Sequence, residues 1–347
     1  MENKYPKNPK KILVIRNDRI GDMANSTNVF PALKENFPNA KITAIASKAN
    51  RALIEKNKKI DKIITLDFAP RTFKDIINFL KTSLKIRKEK FDIGIDLRGS
   101  YANILFLMYF GGVKYRIGFR NDTLYLPWKR YKFPLYEKYL SKILLNYSMP
   151  KERWVEHCTV RRMKLLSEGL GIKYKEYWPE IATDKEDEKE LNKFMKENKL
   201  KQFISFVPDA MQDRKQWPMK KWDKYITHIE KRHQKYKILL FGGGGDRKKL
   251  DNLHKKHPNT IVCFNLNLRL VYLLFKKSKL VTLQDGGTLN IAWPSRTNVI
   301  ALIPTEMPAC YIKPLGKNSV TIHENIKRIP VEKIAKISDD FISSSKS

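Results

Sequence analysis

The chain has 347 residues, enough for two domains of ordinary size, and its 42% hydrophobic content supplies the material for two cores. No run of eighteen apolar residues occurs, the longest being 104–110, and residues 1–7 lack the apolar centre of a signal peptide, so neither a transmembrane span nor secretion is expected. The 69 Lys+Arg against 36 Asp+Glu give a net charge of +33, which favours a polyanionic partner: nucleic acid, anionic lipid headgroups or phosphorylated glycans.

The first predicted element is the strand 12–15, Ile-Leu-Val-Ile. Four consecutive apolar residues, three of them β-branched, fit an interior parallel strand covered on both faces. It runs into a loop ending Gly21-Asp22, and 24–35 reads as helix, with Pro31 blurring its start. In open α/β sheets ligands bind at the carboxyl ends of strands, which places Asp22 where a catalytic base would stand. Capping the following helix is the commoner role of an Asp there, and position alone leaves both readings open.

Further strands are expected at 41–46, 62–66, 91–97 and 116–119, with helices at 51–58, 76–90 and 101–110. This alternation predicts a parallel sheet with helices on both faces. The stretch 121–150 is aromatic and contains Pro127 and Pro134; it reads as a loop packed over the first domain, or as a lid or membrane-facing surface. A helix is expected at 155–170 and a linker at 173–185. The expected domains are 1–178 and 179–330, with a C-terminal helix and tail over 331–347.

The second half repeats the rhythm. Strand 203–207 leads into a polar loop through Trp217-Pro218, then helix 220–231. Strand 236–241 empties into Gly242-Gly243-Gly244-Gly245-Asp246 and a Lys-rich helix. Strand 260–264, helix 268–276 and strand 280–283 follow; Asp285-Gly286-Gly287 opens into a helix near 289–293, and 299–303 is the last strand expected. No internal sequence repeat is evident. Cys158, Cys263 and Cys310 are far apart and show no metal-type spacing, as expected of reduced thiols in a cytoplasmic protein.

Three of these loops suit an anion. Gly242 to Gly245 bring bare amides toward a helix start, and Asp246 is placed either to bind ribose hydroxyls or to cap that helix. Asp285-Gly286-Gly287 is a second amide-rich turn. In Asp213-Arg214-Lys215-Gln216-Trp217-Pro218, a Lys just beyond a buried strand is placed to meet a diphosphate.

The chain resembles the glycosyltransferase family 9 heptosyltransferases of lipopolysaccharide core synthesis. The resemblance is carried, in order, by the opening strand with its Gly21-Asp22 loop and by Ala32-Leu-Lys-Glu-Asn-Phe-Pro38. It continues through Phe91-Asp-Ile-Gly-Ile-Asp-Leu-Arg-Gly99 with Tyr115-Arg-Ile-Gly-Phe119, then Arg214 to Pro218, Asp285 to Ala292 and Ile303-Pro304-Thr305. It implies an α/β GT-B fold, two Rossmann-like domains facing a central cleft, with acceptor bound by the first and a nucleotide-sugar, ADP-heptose above all, by the second. It also implies inversion at the anomeric carbon, with Asp22 as the base and with Lys215 and the amides of Gly286 and Gly287 on the leaving diphosphate. Gly242, Gly243, Asp246, Asp285, Thr288 and Asn290 complete the expected donor site, and Arg98, Arg116 and Arg120 the acceptor site. No cofactor and no metal are expected, since no strict Asp-x-Asp occurs. An anionic glycolipid acceptor reached by peripheral contact with the inner face of the cytoplasmic membrane is the expected partner, and nucleic acid is not.

Three departures from the family pattern are visible. Gly286 stands for a Thr, Asn290 for a His, and Pro208-Asp209-Ala210 for a Gly after the first strand of the donor half. Two rivals remain at this stage: a basic nucleic-acid-binding protein, and a catalytically lapsed relative that serves as a binding subunit.

Overall fold

The computed structural model describes residues 5–67, 72–120, 123–125, 130–132, 141–150, 155–245 and 247–344. The chain forms two compact units, Met1–Glu180 and Ile181–Ser347. The division falls inside the 173–185 stretch, where 171–184 carries no regular structure.

The first unit is built on β1 (Lys11–Arg16), α1 (Ile20–Ala24), α2 (Val29–Asn36), β2 (Lys41–Ala46), β3 (Lys62–Thr65), α3 (Phe73–Glu89) and β4 (Ile93–Asp96). A π-helix, Asn103–Phe110, leads to β5 (Tyr115–Arg120), the short antiparallel pair β6 (Thr123–Tyr125) and β7 (Arg130–Lys132), α4 (Ser141–Leu144), β8 (Tyr147–Pro150) and α5 (Cys158–Leu170). Its six-stranded sheet has the order β3-β2-β1-β4-β5-β8, parallel throughout. Ile12 to Ile15 are buried at the centre, as their unbroken apolar run predicts.

Two expected helices come out differently. The 24–35 segment is two helices with a turn at 25–28, and Pro31 stands third in α2. Proline is tolerated there because the first amides of a helix have no partner within it. In place of the 51–58 helix there is one 3₁₀ turn, Arg51–Leu53.

The second unit comprises α6 (Lys185–Glu197), β9 (Phe203–Val207), α7 (Met219–Arg232), β10 (Lys237–Gly242), α8 (Arg247–Lys256), β11 (Thr260–Phe264), α9 (Leu268–Lys277) and β12 (Val281–Gln284). It continues with α10 (Leu289–Ala292), β13 (Val299–Pro304), α11 (Ala309–Ile312), β14 (Ser319–Glu324) and α12 (Val331–Ser343). Its sheet order, β11-β10-β9-β12-β13-β14, repeats that of the first, again all parallel. Both sheets are therefore Rossmann sheets of order 3-2-1-4-5-6, in which the direction of winding reverses between the first and fourth strands.

Helix starts and core contacts follow local chemistry. Thr72 and Asp75 form a reciprocal capping box on α3, as Asp184 and Asp187 do on α6. Asp187 also holds buried Arg269 of α9 at 2.8 Å. The second core is strongly aromatic: Phe206, Trp217, Trp222 and Tyr225 pack together, and the Tyr225 hydroxyl sits 3.0 Å from Thr282 Oγ1 and 2.6 Å from Ser338 Oγ of α12. Among the described residues no helix is long and apolar enough to cross a membrane.

Asp339 ties α12 to α7, with Oδ1 at 3.1 Å from His228 Nε2 and 2.6 Å from His233 Nε2. Partial burial works to raise this carboxyl, but the hydrogen bonds from His233 and His228 outweigh it and hold it below the usual carboxylate range. A depressed carboxyl contributes stability that is complete above its unfolded value, about 3.9, and is lost as pH falls through the folded value. Replacing Asp339 by Asn should lower stability by about 1 kcal/mol near pH 6, with the difference closing toward about pH 2. Urea melts of both proteins across that range check this; a gap independent of pH would contradict it.

Candidate functional site

In each unit the winding reversal leaves the carboxyl ends of two adjacent strands without a covering crossover, and the polar residues collect there. In the first unit these are the ends of β1 and β4. Arg16, the last residue of β1, is buried, and its guanidinium divides its donors three ways. Nε lies 2.9 Å from Asp18 Oδ1, one terminal nitrogen donates to the Leu97 carbonyl, and the other meets Asp22 Oδ1. Arg98 Nη1 reaches the other oxygen of Asp18 at 3.0 Å. Arg162 of α5 approaches Asp22 Oδ1 to 4.0 Å while donating to the Asn25 carbonyl at 3.0 Å.

The loops that carry these groups are fixed from beneath. Asn50 Nδ2 donates to the carbonyls of Arg16 and Asp18, at 3.1 and 3.2 Å. Buried Asp96 accepts from the amides of Gly99 and Ser100, at 2.6 and 2.8 Å, and from Asn103 Nδ2 at 3.2 Å. Gly99 has φ +75°, and a Cβ there would stand 2.6 Å from the Phe119 carbonyl oxygen, so the turn that presents Arg98 requires glycine.

Asp22 is the third residue of α1, whose N-cap position is Arg19 with no side-chain cap. The helix-capping reading is thereby removed. Its side chain is 33% exposed while the supporting Arg16 and Arg162 side chains are 5% and 1% exposed. The carboxylate is thus held from the protein side by two cations and is open to solvent on the other. Buried Cys158 lies close by, 3.3 Å from Asn25 Nδ2; burial pushes its thiol up despite the neighbouring Arg162, so it is a packing group rather than a nucleophile.

The three arginines expected to bind acceptor are dispersed. Arg98 belongs to the network, and Arg120 ends β5 at the same sheet edge. Arg116 does not join them: it lies at the amino end of β5, where its guanidinium donates to the carbonyls of Leu144 (2.6 Å) and Val113 (2.7 Å) and stacks over Tyr109. It ties loops together at the opposite edge. Arg16, Asp18 and Arg162 were not anticipated from the sequence; the signal available was a charged pair immediately after a wholly apolar strand.

In the second unit the reversal lies between β9 and β12. Lys215 ends a 3₁₀ turn, Asp213–Lys215, and its Nζ lies 2.5 Å from Oδ2 of Asp285, the residue that follows β12. The turn is latched by two glutamines. Gln216 donates to the Pro208 carbonyl at 2.7 Å and accepts from the Ala210 amide at 3.0 Å. Gln284 donates to Pro208 at 3.1 Å and accepts from the Trp217 amide. Trp217 is buried and donates to the Ile329 carbonyl at 3.1 Å, so the Lys-Gln-Trp-Pro segment is anchored in the core directly beside its lysine.

Next to this pair, Gly286 is half-buried and Gly287 exposed. A Cβ on Gly286 would find no atom closer than 3.9 Å, so the space in front of that backbone is open. Asn290 turns back to donate to the Gly286 carbonyl at 3.3 Å, and Thr288 lies on the same turn. The Gly-rich turn after β10 is different. A Cβ on Gly245 would stand 1.7 Å from Asp209 Oδ2, and Lys249 lies 3.2 Å from the other oxygen. Gly242 packs against Leu250, and Asn265 Oδ1 lies against Gly243 and accepts from the Gly244 amide at 3.3 Å. That turn already holds a carboxylate of the protein's own, which an incoming phosphate would meet. Asp246 lies outside the described residues.

Two Rossmann units in succession, each with its polar residues gathered at the switch point, define a protein of the GT-B fold class. Residues 79–340 match the model of glycosyltransferase family 9 (heptosyltransferase), and the chain belongs to that family. It is 24% identical over 327 residues to a lipooligosaccharide heptosyltransferase 2 of Haemophilus influenzae, with 90% of this chain and 88% of the relative covered. Its fold matches a glycosyl transferase family 9 structure from Veillonella parvula (TM-score 0.84, 17% identity, 99% of this chain and 100% of that one). It also matches the E. coli ADP-heptose lps heptosyltransferase II (TM-score 0.76, 18% identity, 96% and 98% covered).

The Arg16 network makes a stability prediction. Removing one member of a buried ion cluster leaves the other uncompensated, at a cost of about 3–5 kcal/mol. Arg16→Met should destabilise the protein by that order, and adding Asp18→Asn should recover part of the loss. Chemical denaturation of the single and double variants checks this, and strict additivity would refute the coupling.

Proposed function

We propose that the protein transfers a heptose, with inversion and without a metal ion, from ADP-heptose to an anionic lipopolysaccharide-core or related glycan acceptor at the inner face of the cytoplasmic membrane. The observation that carries this reading is Asp22, held at the switch point of the first unit by Arg16 and Arg162 with its outer side open. The donor assignment draws on the relative whose description names ADP-heptose.

Transfer needs a base, a cation for the leaving group and a fixed acceptor. The acceptor hydroxyl oxygen attacks the anomeric carbon from the face opposite the diphosphate. As the new C–O bond forms and the old one breaks, the hydroxyl proton passes to Asp22 and negative charge moves onto the leaving phosphate. The guanidiniums of Arg16 and Arg162 fix the position of the Asp22 carboxylate and leave its outer side to the acceptor hydroxyl. Lys215 and the amides of Gly286 and Gly287 are the groups we assign to the leaving diphosphate, as preorganised donors where charge develops. The diphosphate would then share Lys215 with Asp285, which holds the ammonium in place before the donor arrives. Arg98 and Arg120, at the same edge as Asp22, are assigned to acidic groups of the acceptor.

Asp22→Asn preserves shape and removes basicity. It should slow transfer by roughly 10²- to 10⁴-fold while leaving the melting temperature and nucleotide affinity near their wild-type values. Turnover close to normal would exclude Asp22 as the base. Lys215→Ala should weaken ADP binding, measured by calorimetry, and lower turnover along with it; undiminished affinity would remove Lys215 from the donor site.

A further inference from the structure

Six of the ten large hydrophobic residues left exposed among the described residues lie on one helix pair of the first unit. Phe73, Ile77, Leu80 and Leu84 stand on α3, at 83%, 50%, 45% and 62% exposure, and Tyr109 and Phe110 on the π-helix packed against it. The spacing of the four, i, i+4, i+7, i+11, draws one stripe along about three turns. The face of α3 that packs on the core is a different one, carrying Phe79, Thr82, Ser83 and Ile86. α3 therefore has two apolar faces, and only one is covered. Single exposed apolar residues are ordinary; an aligned row of them is not.

A second row runs beside the stripe. At 100° per residue Lys74, Lys81, Lys85 and Lys88 project next to it, and all four are exposed. An apolar ridge bordered by lysines suits a surface that is greasy inside and anionic outside. It does not suit a second copy of this chain, which would bring its own lysine row and its own net charge of +33. It does not suit nucleic acid either, which rewards cationic and stacking groups rather than Leu and Ile.

We infer that the exposed face of α3, with Tyr109 and Phe110, docks the protein on the anionic lipid headgroups of a bilayer. The stripe enters the acyl boundary and the lysine row contacts the headgroups. α3 is the crossover from β3 to β4, so it runs antiparallel to the strands. Its Phe73 end lies toward the sheet edge that carries Asp22, and a lipid-linked acceptor would be delivered at that edge. The inference deepens the acceptor reading above by naming the surface that meets the membrane.

Co-sedimentation with vesicles of phosphatidylcholine alone or mixed with phosphatidylglycerol, over a salt series and with no donor or acceptor present, tests it. Wild-type protein should bind the anionic vesicles, and salt should weaken that binding. Leu80→Gln/Leu84→Gln should bind at least about tenfold more weakly at every salt concentration. Lys81→Gln/Lys85→Gln should lose about fivefold per lysine, chiefly at low salt. All four residues are exposed, so both variants should keep the wild-type melting temperature and the wild-type rate on a soluble, lipid-free acceptor. Absence of wild-type binding, or variants that bind as wild type does, would overturn the inference. So would a wild-type dimer in sedimentation velocity that the Leu variant dissolves, which would assign the face to a second copy. Because the vesicles carry no acceptor, failure of the transferase reading would leave this result standing, and the reverse also holds.

Discussion

A guanidinium buried at the end of β1 is the constraint on which the first unit's site depends. A charge taken from water must be surrounded by partners, and Arg16 finds them on three sides: Asp18, the Leu97 carbonyl and Asp22. Each partner belongs to a different stretch of chain. The loop after β1, the loop after β4 and the start of α1 are therefore fixed relative to one another by one side chain. Arg98 and Arg162 extend the cluster outward, so that three guanidiniums face two carboxylates and only Asp22 reaches solvent appreciably. Fixed position and open approach are combined in that one side chain.

The second unit solves a similar problem with neutral groups. Its loops at the switch point are held by the amides of Gln216 and Gln284 clamped on the Pro208 carbonyl, and by Trp217 driven into the aromatic core. One ion pair, Lys215 with Asp285, stands on this frame. The Gly-rich turn after β10 looks in sequence like the better anion site, but Asp209 has taken its place against Gly245. The departure from the family pattern at 208–210 thus has a structural consequence: a carboxylate occupies ground a ligand would use, and the open backbone lies at Gly286 instead.

Net charge by itself selects no partner. What distinguishes the surface is the juxtaposition on α3 of an exposed apolar stripe and a lysine row, the combination from which the membrane-docking proposal is drawn. Exposed ion pairs such as Lys62 with Glu89 or Lys175 with Glu35 add little to stability.

The sequence alone determined the alternation of strands and helices and the glycosyltransferase class. Strands buried on both faces read as nearly continuous apolar runs, as 12–15 and 299–303 do and as 203–207 does but for Ser205. It also placed Asp22 and Lys215 at strand ends, since a loop that follows such a run lies at a sheet edge. It did not disclose β8 or β14. Both are edge strands, covered on fewer sides, so Tyr147-Ser-Met-Pro150 and Ser319-Val-Thr-Ile-His-Glu324 carry polar residues that break the pattern. Nor did it separate Arg98, which faces Asp18, from Arg116, which closes loops at the far edge. Tertiary structure decided which charges meet. Partners such as Arg16 and Leu97, or Asn25 and Arg162, lie 81 and 137 residues apart in the chain, and only the crossovers of the sheet bring them within hydrogen-bonding distance.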